Sequence, residues 1–222
     1  MNGNINAGWE SYYSSSTSDT SWKKETEPFL LENMPLLIKD KGKICVLDVG
    51  CGDGRNTFIW VKGGHNVCSL DIALSGLKKI PQKIKNLGLD SPILLCENFL
   101  ETNLIEENFD IVQSFDTLEH IENPKVAIEK LCNMAKSGGY IIFNYLTKND
   151  CSYGEGQKID DNTFIYKDTL FKFMSEEDIV NLLPISIDIV TKKTKRWEDP
   201  PHGDFRPYMH IHEAAFFLLK KK

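Results

Sequence analysis

Short apolar runs alternate with amphipathic stretches along most of this chain. Residues 44–49, 65–71, 93–96, 109–116 and 140–145 are brief, apolar and bounded by glycine or polar turns. Runs that short and that rich in β-branched and aromatic residues predict buried strands. Helical patterns fill the gaps. Residues 56–62 end at Gly63-Gly64, a helix stop. Residues 73–87 are amphipathic and lysine-rich, with an expected break at Pro81 and a stop at Gly88. Pro124 opens another helix, with Ala127, Ile128, Leu131 and Cys132 on its buried side and a stop at Ser137-Gly138-Gly139. Upstream, Pro28 opens a helix over 29–38, which Pro35 is expected to kink or divide. Residues 146–167 read as a long loop, a length usually tied to function. Ser175 and Asp178 form a capping-box pattern, and Pro184 ends the helix they start. Residues 185–193 and 213–219 read as two further strands, a hairpin at one sheet edge.

The chain is organised around Val46-Leu47-Asp48-Val49-Gly50-Cys51-Gly52-Asp53-Gly54-Arg55-Asn56. A strand runs into a turn with three alternate glycines, and a helix starts beyond it. Glycine admits positive φ and leaves no Cβ in the way of a ligand. The first N–H groups of the helix face the same space. A dinucleotide fingerprint needs G-x-G-x-x-G, and the spacing here is G-x-G-x-G. The remaining alternatives are a tight turn with no ligand and a loop that wraps a cofactor without a pyrophosphate. Asp71 ends the second strand, where its carboxylate can accept both hydroxyls of a ribose. It could equally be a solvated acid or a helix cap before Ala73.

The loop resembles that of the class I S-adenosylmethionine (SAM) methyltransferases. Phe109-Asp110-Ile111-Val112, Leu118-Glu119-His120-Ile121 and Gly138-Gly139-Tyr140-Ile141-Ile142-Phe143 resemble the same family. The resemblance is strong over 46–145 and extends more loosely over 29–221, where the chain is similar to small bacterial methyltransferases of the tellurite-resistance type. It implies an α/β fold: a Rossmann-like sheet of seven strands, the last antiparallel, with helices on both faces. It implies SAM as cofactor and S-adenosyl-L-homocysteine (SAH) as product. It places Asp48, Gly50, Cys51, Gly52, Gly54, Arg55 and Asn56 at the methionine end of SAM, and Asp71 and Ile72 at its ribose. Asn98 stands where the family usually has an acid for the adenine amine, with Phe99 beside it. Ser114, Phe115 and Asp116 fall beside the methionine half of SAM, Asp116 and His120 near the reacting methyl, and His120 is expected to be structural.

The 222 residues suit one domain, read as residues 28–222 behind an N-terminal arm, residues 1–27. Trp9, Tyr12, Tyr13 and Trp22 are too many aromatics for a plain tail. The arm is therefore either a lid over cofactor and substrate or a tail with a few docked residues. Hydrophobic content is 41 % and charged content 26 %, ordinary for a globular protein. A net charge of -6 argues against a broad basic nucleic-acid face. Neither a membrane span nor a signal-peptide core is expected, and six cysteines without C-x-x-C pairing suggest a reduced, cytoplasmic protein.

Methyl transfer from a sulfonium needs mainly alignment of nucleophile, carbon and sulfur. A base is needed only for an acceptor that must lose a proton. Candidates for catalysis are Asp116, His202 and His210, and Tyr12, Tyr13, Tyr145, Arg196 and Arg206 for holding the acceptor. Three histidines crowd the stretch 202–212, but no acid or cysteine falls at a familiar ligand spacing, so no metal site is expected. The expected partner is a small-molecule acceptor, with a homodimer left open. A methyltransferase acting on protein or nucleic acid, a non-catalytic SAM-binding protein and an NAD-linked oxidoreductase are the alternatives.

Overall fold

In the computed structural model, which describes residues 7–15, 25–201 and 206–222, one sheet carries most of the chain. A helix, α1 (Ala7–Ser15), precedes α2 (Pro28–Leu37). Four strands follow, the first three separated by helices: β1 (Cys45–Val49), α3 (Thr57–Lys62), β2 (Asn66–Asp71), α4 (Leu74–Leu77), α5 (Lys79–Leu87), β3 (Ile93–Cys96) and β4 (Phe109–Ser114). A 3₁₀ turn at Leu118–His120 leads to α6 (Pro124–Met134) and β5 (Ala135–Leu146). Three short strands follow, β6 (Gln157–Lys158), β7 (Thr163–Tyr166) and β8 (Thr169–Lys172). The chain closes with α7 (Glu176–Val180), β9 (Ile187–Asp199) and β10 (His210–Lys221).

The main sheet has seven strands in the order β3-β2-β1-β4-β5-β10-β9. The first five are parallel, and β10 is antiparallel to both β5 and β9. Successive side chains on a strand face opposite ways, so each central strand feeds two cores. Leu47, Val112, Ile141 and Phe217 pack on the α6 side. Val46, Ile111, Ile142 and Phe216 pack on the side of α2, α3 and α5. Trp60 is fully buried in that second core, and its indole Nε1–H donates to Gln113 Oε1 at 2.7 Å. Strand order reverses at β1 and β4, whose carboxyl ends therefore open a crevice where ligands bind in such sheets.

Several local expectations are corrected. Pro35 neither breaks nor ends α2, which runs on to Leu37. The carbonyl that Pro35 leaves without its helical partner belongs to Leu31, an exposed residue that water can reach. The lysine-rich stretch divides at Lys78, not at Pro81. Pro81 falls in the first turn of α5, where no intrahelical N–H is needed. Gly88 closes α5 in the left-handed region, φ 66°, as its position implied. α6 stops at Met134, and β5 starts at once, running through Gly138-Gly139.

The stretch 146–167 is not a bare loop. With residues 168–172 it builds a second sheet, β6-β7-β8. The β7–β8 hairpin turns on Lys167 and Asp168, both with positive φ (49° and 56°). A two-residue turn of that kind matches the twist of its strands but usually carries asparagine and glycine. The lysine–aspartate pair hid it. At α7 the capping box is present in full, Ser175 accepting from Asp178 N–H and Asp178 from Ser175 N–H. No helix among the described residues is long and apolar enough to cross a membrane.

Candidate functional site

The glycine loop begins where β1 ends. The N–H groups of Gly50 and Cys51 both donate to Leu70 O, at 2.8 and 3.1 Å, tying the loop to the tip of β2. Gly50 has φ 70°, and a Cβ there would lie 2.1 Å from Thr117 Oγ1. Only glycine fits a position that needs both the left-handed region and that close approach. Asp71 completes the floor. Its Oδ2 accepts Gly52 N–H at 2.7 Å and its Oδ1 accepts Ala73 N–H at 2.8 Å. Burial raises its pKa, and the backbone hydrogen bonds oppose the rise.

Above this floor lies a cavity of about 130 Å³. Gly50, Cys51, Arg55 and Asn56 line one end. Asp71, Ile72, Asn98 and Phe99 line the other, with Glu97 beside them. Phe115 and Asp116 form the wall after β4. Asp116 holds φ 53° and is clamped on three sides. Its N–H donates to Asn144 Oδ1 and its Oδ1 accepts from Asn144 Nδ2, each at 2.7 Å. Its Oδ2 accepts from Arg55 at 2.9 Å.

Helix α1 forms the roof. Trp9 and Tyr13 line the cavity, and the Tyr13 hydroxyl lies against Gly52, where a Cβ would come within 2.2 Å of it. Glu10 anchors the helix by accepting from the N–H and hydroxyl of Ser75. The Trp9 ring meets the edge of His120 at 4.8 Å between centroids. His120 in turn donates from Nδ1 to Leu170 O at 2.6 Å, binding the 3₁₀ turn to β8. Burial pushes its pKa down to about 4, so the ring is neutral.

Trp9, Asp116 and His120 also border a second, smaller cavity. Its far wall holds Trp197, Arg206 and His212. Arg206 is almost wholly buried and donates to Glu155 at 2.5 Å and to Ser152 Oγ at 2.8 Å. His212 Nδ1–H donates to Asp150 Oδ2 at 2.7 Å. Burial disfavours the imidazolium, but the hydrogen bonds to Asp150 and Cys151 and the negative charge of Asp150 outweigh it, raising the pKa to about 9.

Other candidates lie off these walls. Asp48 is buried beneath the loop and accepts from Thr57 Oγ1 at 2.6 Å, bracing the start of α3. Ser114 is buried at the end of β4. Gly52 and Gly54 shape the loop from outside the cavity, Gly54 packing on Phe58 and Ile80. Tyr12 stacks edgewise on Trp9 and Tyr13 and supports the roof without lining it. Tyr145 is a core residue, fully buried among Phe143 and its neighbours, so it cannot reach an acceptor. Arg196 alternates with Trp197 along β9 and therefore faces away from the second cavity. His210 is buried behind His212 and lines neither cavity. His202 lies outside the described residues. From the sequence, Trp9 stands out only as one aromatic of the arm, and neither His212 nor Trp197 is singled out. The period of two along β10 that links His210 to His212 was the available signal, but not which of the two would face the cavity.

Residues 47–143 match a family model described as a methyltransferase domain. A ubiquinone biosynthesis O-methyltransferase from Hydrogenovibrio crunogenus is 28 % identical over 144 residues, 63 % of this chain and 51 % of that protein. The chain thus spans about half the length of the curated relatives it matches. A structure solved for the conversion of a disulfide bond into a thioacetal group during echinomycin biosynthesis is similar with a TM-score of 0.74, at 14 % identity, over 99 % of this chain and 94 % of its own. N-methyltransferase NodS from Bradyrhizobium japonicum, solved with SAH, gives a TM-score of 0.65 at 15 % identity, over 99 % of both chains. Sheet order and glycine-loop crevice define a Rossmann-like methyltransferase fold. Over residues 47–143 the chain is similar to a methyltransferase domain, and its fold is that of SAM-dependent methyltransferases among its structural neighbours.

Proposed function

We propose that this chain transfers the methyl group of SAM to a small-molecule acceptor. The observation that carries the reading is the pair of adjoining cavities that share Trp9, Asp116 and His120. The larger suits the cofactor. Its floor offers the fixed carboxylate of Asp71 for a ribose, and its walls offer Phe99 and Asn98 for an adenine. The Gly50-Cys51 loop and the Arg55–Asp116 pair receive the methionine end. The methyl then points toward the smaller cavity, where the acceptor sits between Asp116 and the wall of Trp197, Arg206 and His212. That space is narrow and roofed, which favours a small molecule over a polymer. The curated relatives named above act in ubiquinone biosynthesis as O-methyltransferases, which supports an oxygen acceptor.

In this reading α1 is a lid. Trp9 and Tyr13 would close over bound SAM and exclude water from the transfer. Six free cysteines fit a reducing, cytoplasmic setting. The test uses SAM labelled in its methyl group with a host-cell extract. Label in soluble small molecules is expected. Label in precipitable polymer, or none at all with bound SAH still detected, would overturn it.

A further inference from the structure

Beside the proposed acceptor cavity stands a cluster of ligating side chains that in-line methyl transfer does not itself require. His210 and His212 share one face of β10, and Asp199 of β9 is the direct cross-strand neighbour of His210. Both histidines are buried, with ring centroids 4.7 Å apart and planes at 87°. His212 Nε2 lies 3.8 Å from Asp199 Oδ2. One ligand atom from each of the three residues falls within 4.8 Å of the other two.

The opposite side of each ring is tied from behind. His212 Nδ1–H donates to Asp150 Oδ2 at 2.7 Å, and His210 Nδ1–H donates to the Tyr208 carbonyl at 2.8 Å. Those bonds hold the Nδ1 edge of each ring against its partner and turn the Nε2 edge away from it. Asp150 is itself fixed by the N–H groups of Ser152 and Glu213, at 2.8 and 3.0 Å. Carboxylate and carbonyl partners of this kind orient histidines that bind metals. Asp150, Cys151 and His212 form a second close group. There the Asp150–His212 hydrogen bond already fills the gap, so the Asp199 side is the better seat.

We propose that His210 Nε2, His212 Nε2 and a carboxylate oxygen of Asp199 bind one divalent transition-metal ion, of the zinc, iron, cobalt or manganese class. Two imidazoles and one carboxylate suit such ions better than calcium or magnesium, which prefer oxygen ligands alone. Three protein ligands leave a coordination position open, and His212 lines the smaller cavity. Resting on the methyl-transfer reading, that position takes the oxygen of a hydroxyl-bearing acceptor. The hydroxyl proton leaves to water on coordination. An oxygen lone pair then forms the new O–C bond while the S–C bond pair returns to sulfur.

Cobalt(II) is the probe, titrated into the full chain after chelator treatment and followed by its visible absorption. One ion per chain is expected. His210→Ala and His212→Ala should each abolish the signal. Asp150→Asn, which touches only the orienting partner, should weaken binding about 10–100-fold. Melting curves and SAH binding establish that each variant folds, and Asp199→Asn, at a strand end, replaces any that does not. A folded wild-type chain that takes up no cobalt, or takes it up equally after His210→Ala, overturns the site. Cobalt binding needs neither SAM nor acceptor, so its failure is separate from failure of methyl transfer. Label transfer unchanged by chelator treatment would overturn the metal's role toward the acceptor.

Discussion

Asp71 accepts the peptide N–H of Gly52 at 2.7 Å, joining the tip of the second strand to the glycine loop of the first. One carboxylate thus holds the loop and also faces the larger cavity. Asp71→Ala is expected to weaken SAM binding at least tenfold, about 1.4 kcal/mol, for the loss of charge-assisted bonds. Calorimetry with SAH measures it, and an unchanged Kd would take Asp71 out of the site.

Trp9 contributes to the walls of both cavities from a helix that precedes the main fold. Trp9→Ala should leave the melting temperature of the ligand-free chain nearly unchanged. SAH should dissociate faster, with affinity reduced about fivefold for roughly 1 kcal/mol of lost apolar contact. Stopped-flow release that matches the wild type would show that α1 does not retain the cofactor.

Asp48 is buried, and burial raises its pKa to about 6 despite the hydrogen bond from Thr57. A folded-state pKa above the unfolded one means the contribution is full below about pH 4. It is lost as pH rises through 6, by on the order of 3 kcal/mol. Asp48→Asn should therefore flatten the fall in stability between pH 4 and 7. Denaturant midpoints across that range supply the check, and parallel curves for the two proteins would contradict the assignment.

Tyr145 is fully buried, and its hydroxyl has no hydrogen-bond partner among the described residues. Removing an unpaired buried hydroxyl relieves a desolvation cost of about 1–3 kcal/mol. Tyr145→Phe should raise the melting temperature and leave the KM for the acceptor alone. A raised KM would restore Tyr145 to the acceptor pocket.

Much of the cofactor side was legible from local pattern. Gly50 sits where the chain must turn in the left-handed region, and Asp71 ends a strand whose neighbour carries the loop. Ser175 and Asp178 cap α7 as their spacing implied. These features depend on residues close together in the chain, where spacing alone determines which groups can meet. Pro81 and Lys167-Asp168 show the limit even there. A proline is silent in a first turn, and a left-handed pair need not contain glycine.

The acceptor side depended on tertiary structure. Period two put His210 and His212 on one face of a strand, but the packing of β10 between β5 and β9 decided that His212 meets the cavity. The same register set Asp199 opposite His210, eleven positions away, a partner that no ligand spacing in the sequence discloses. Trp9 reached the site because α1 folds back over α4 and β8. By itself the sequence determined the strand–turn–helix unit beneath the larger cavity, because its contacts are local. Which side chains close the pocket was decided only when distant strands fixed their register and buried their apolar faces together.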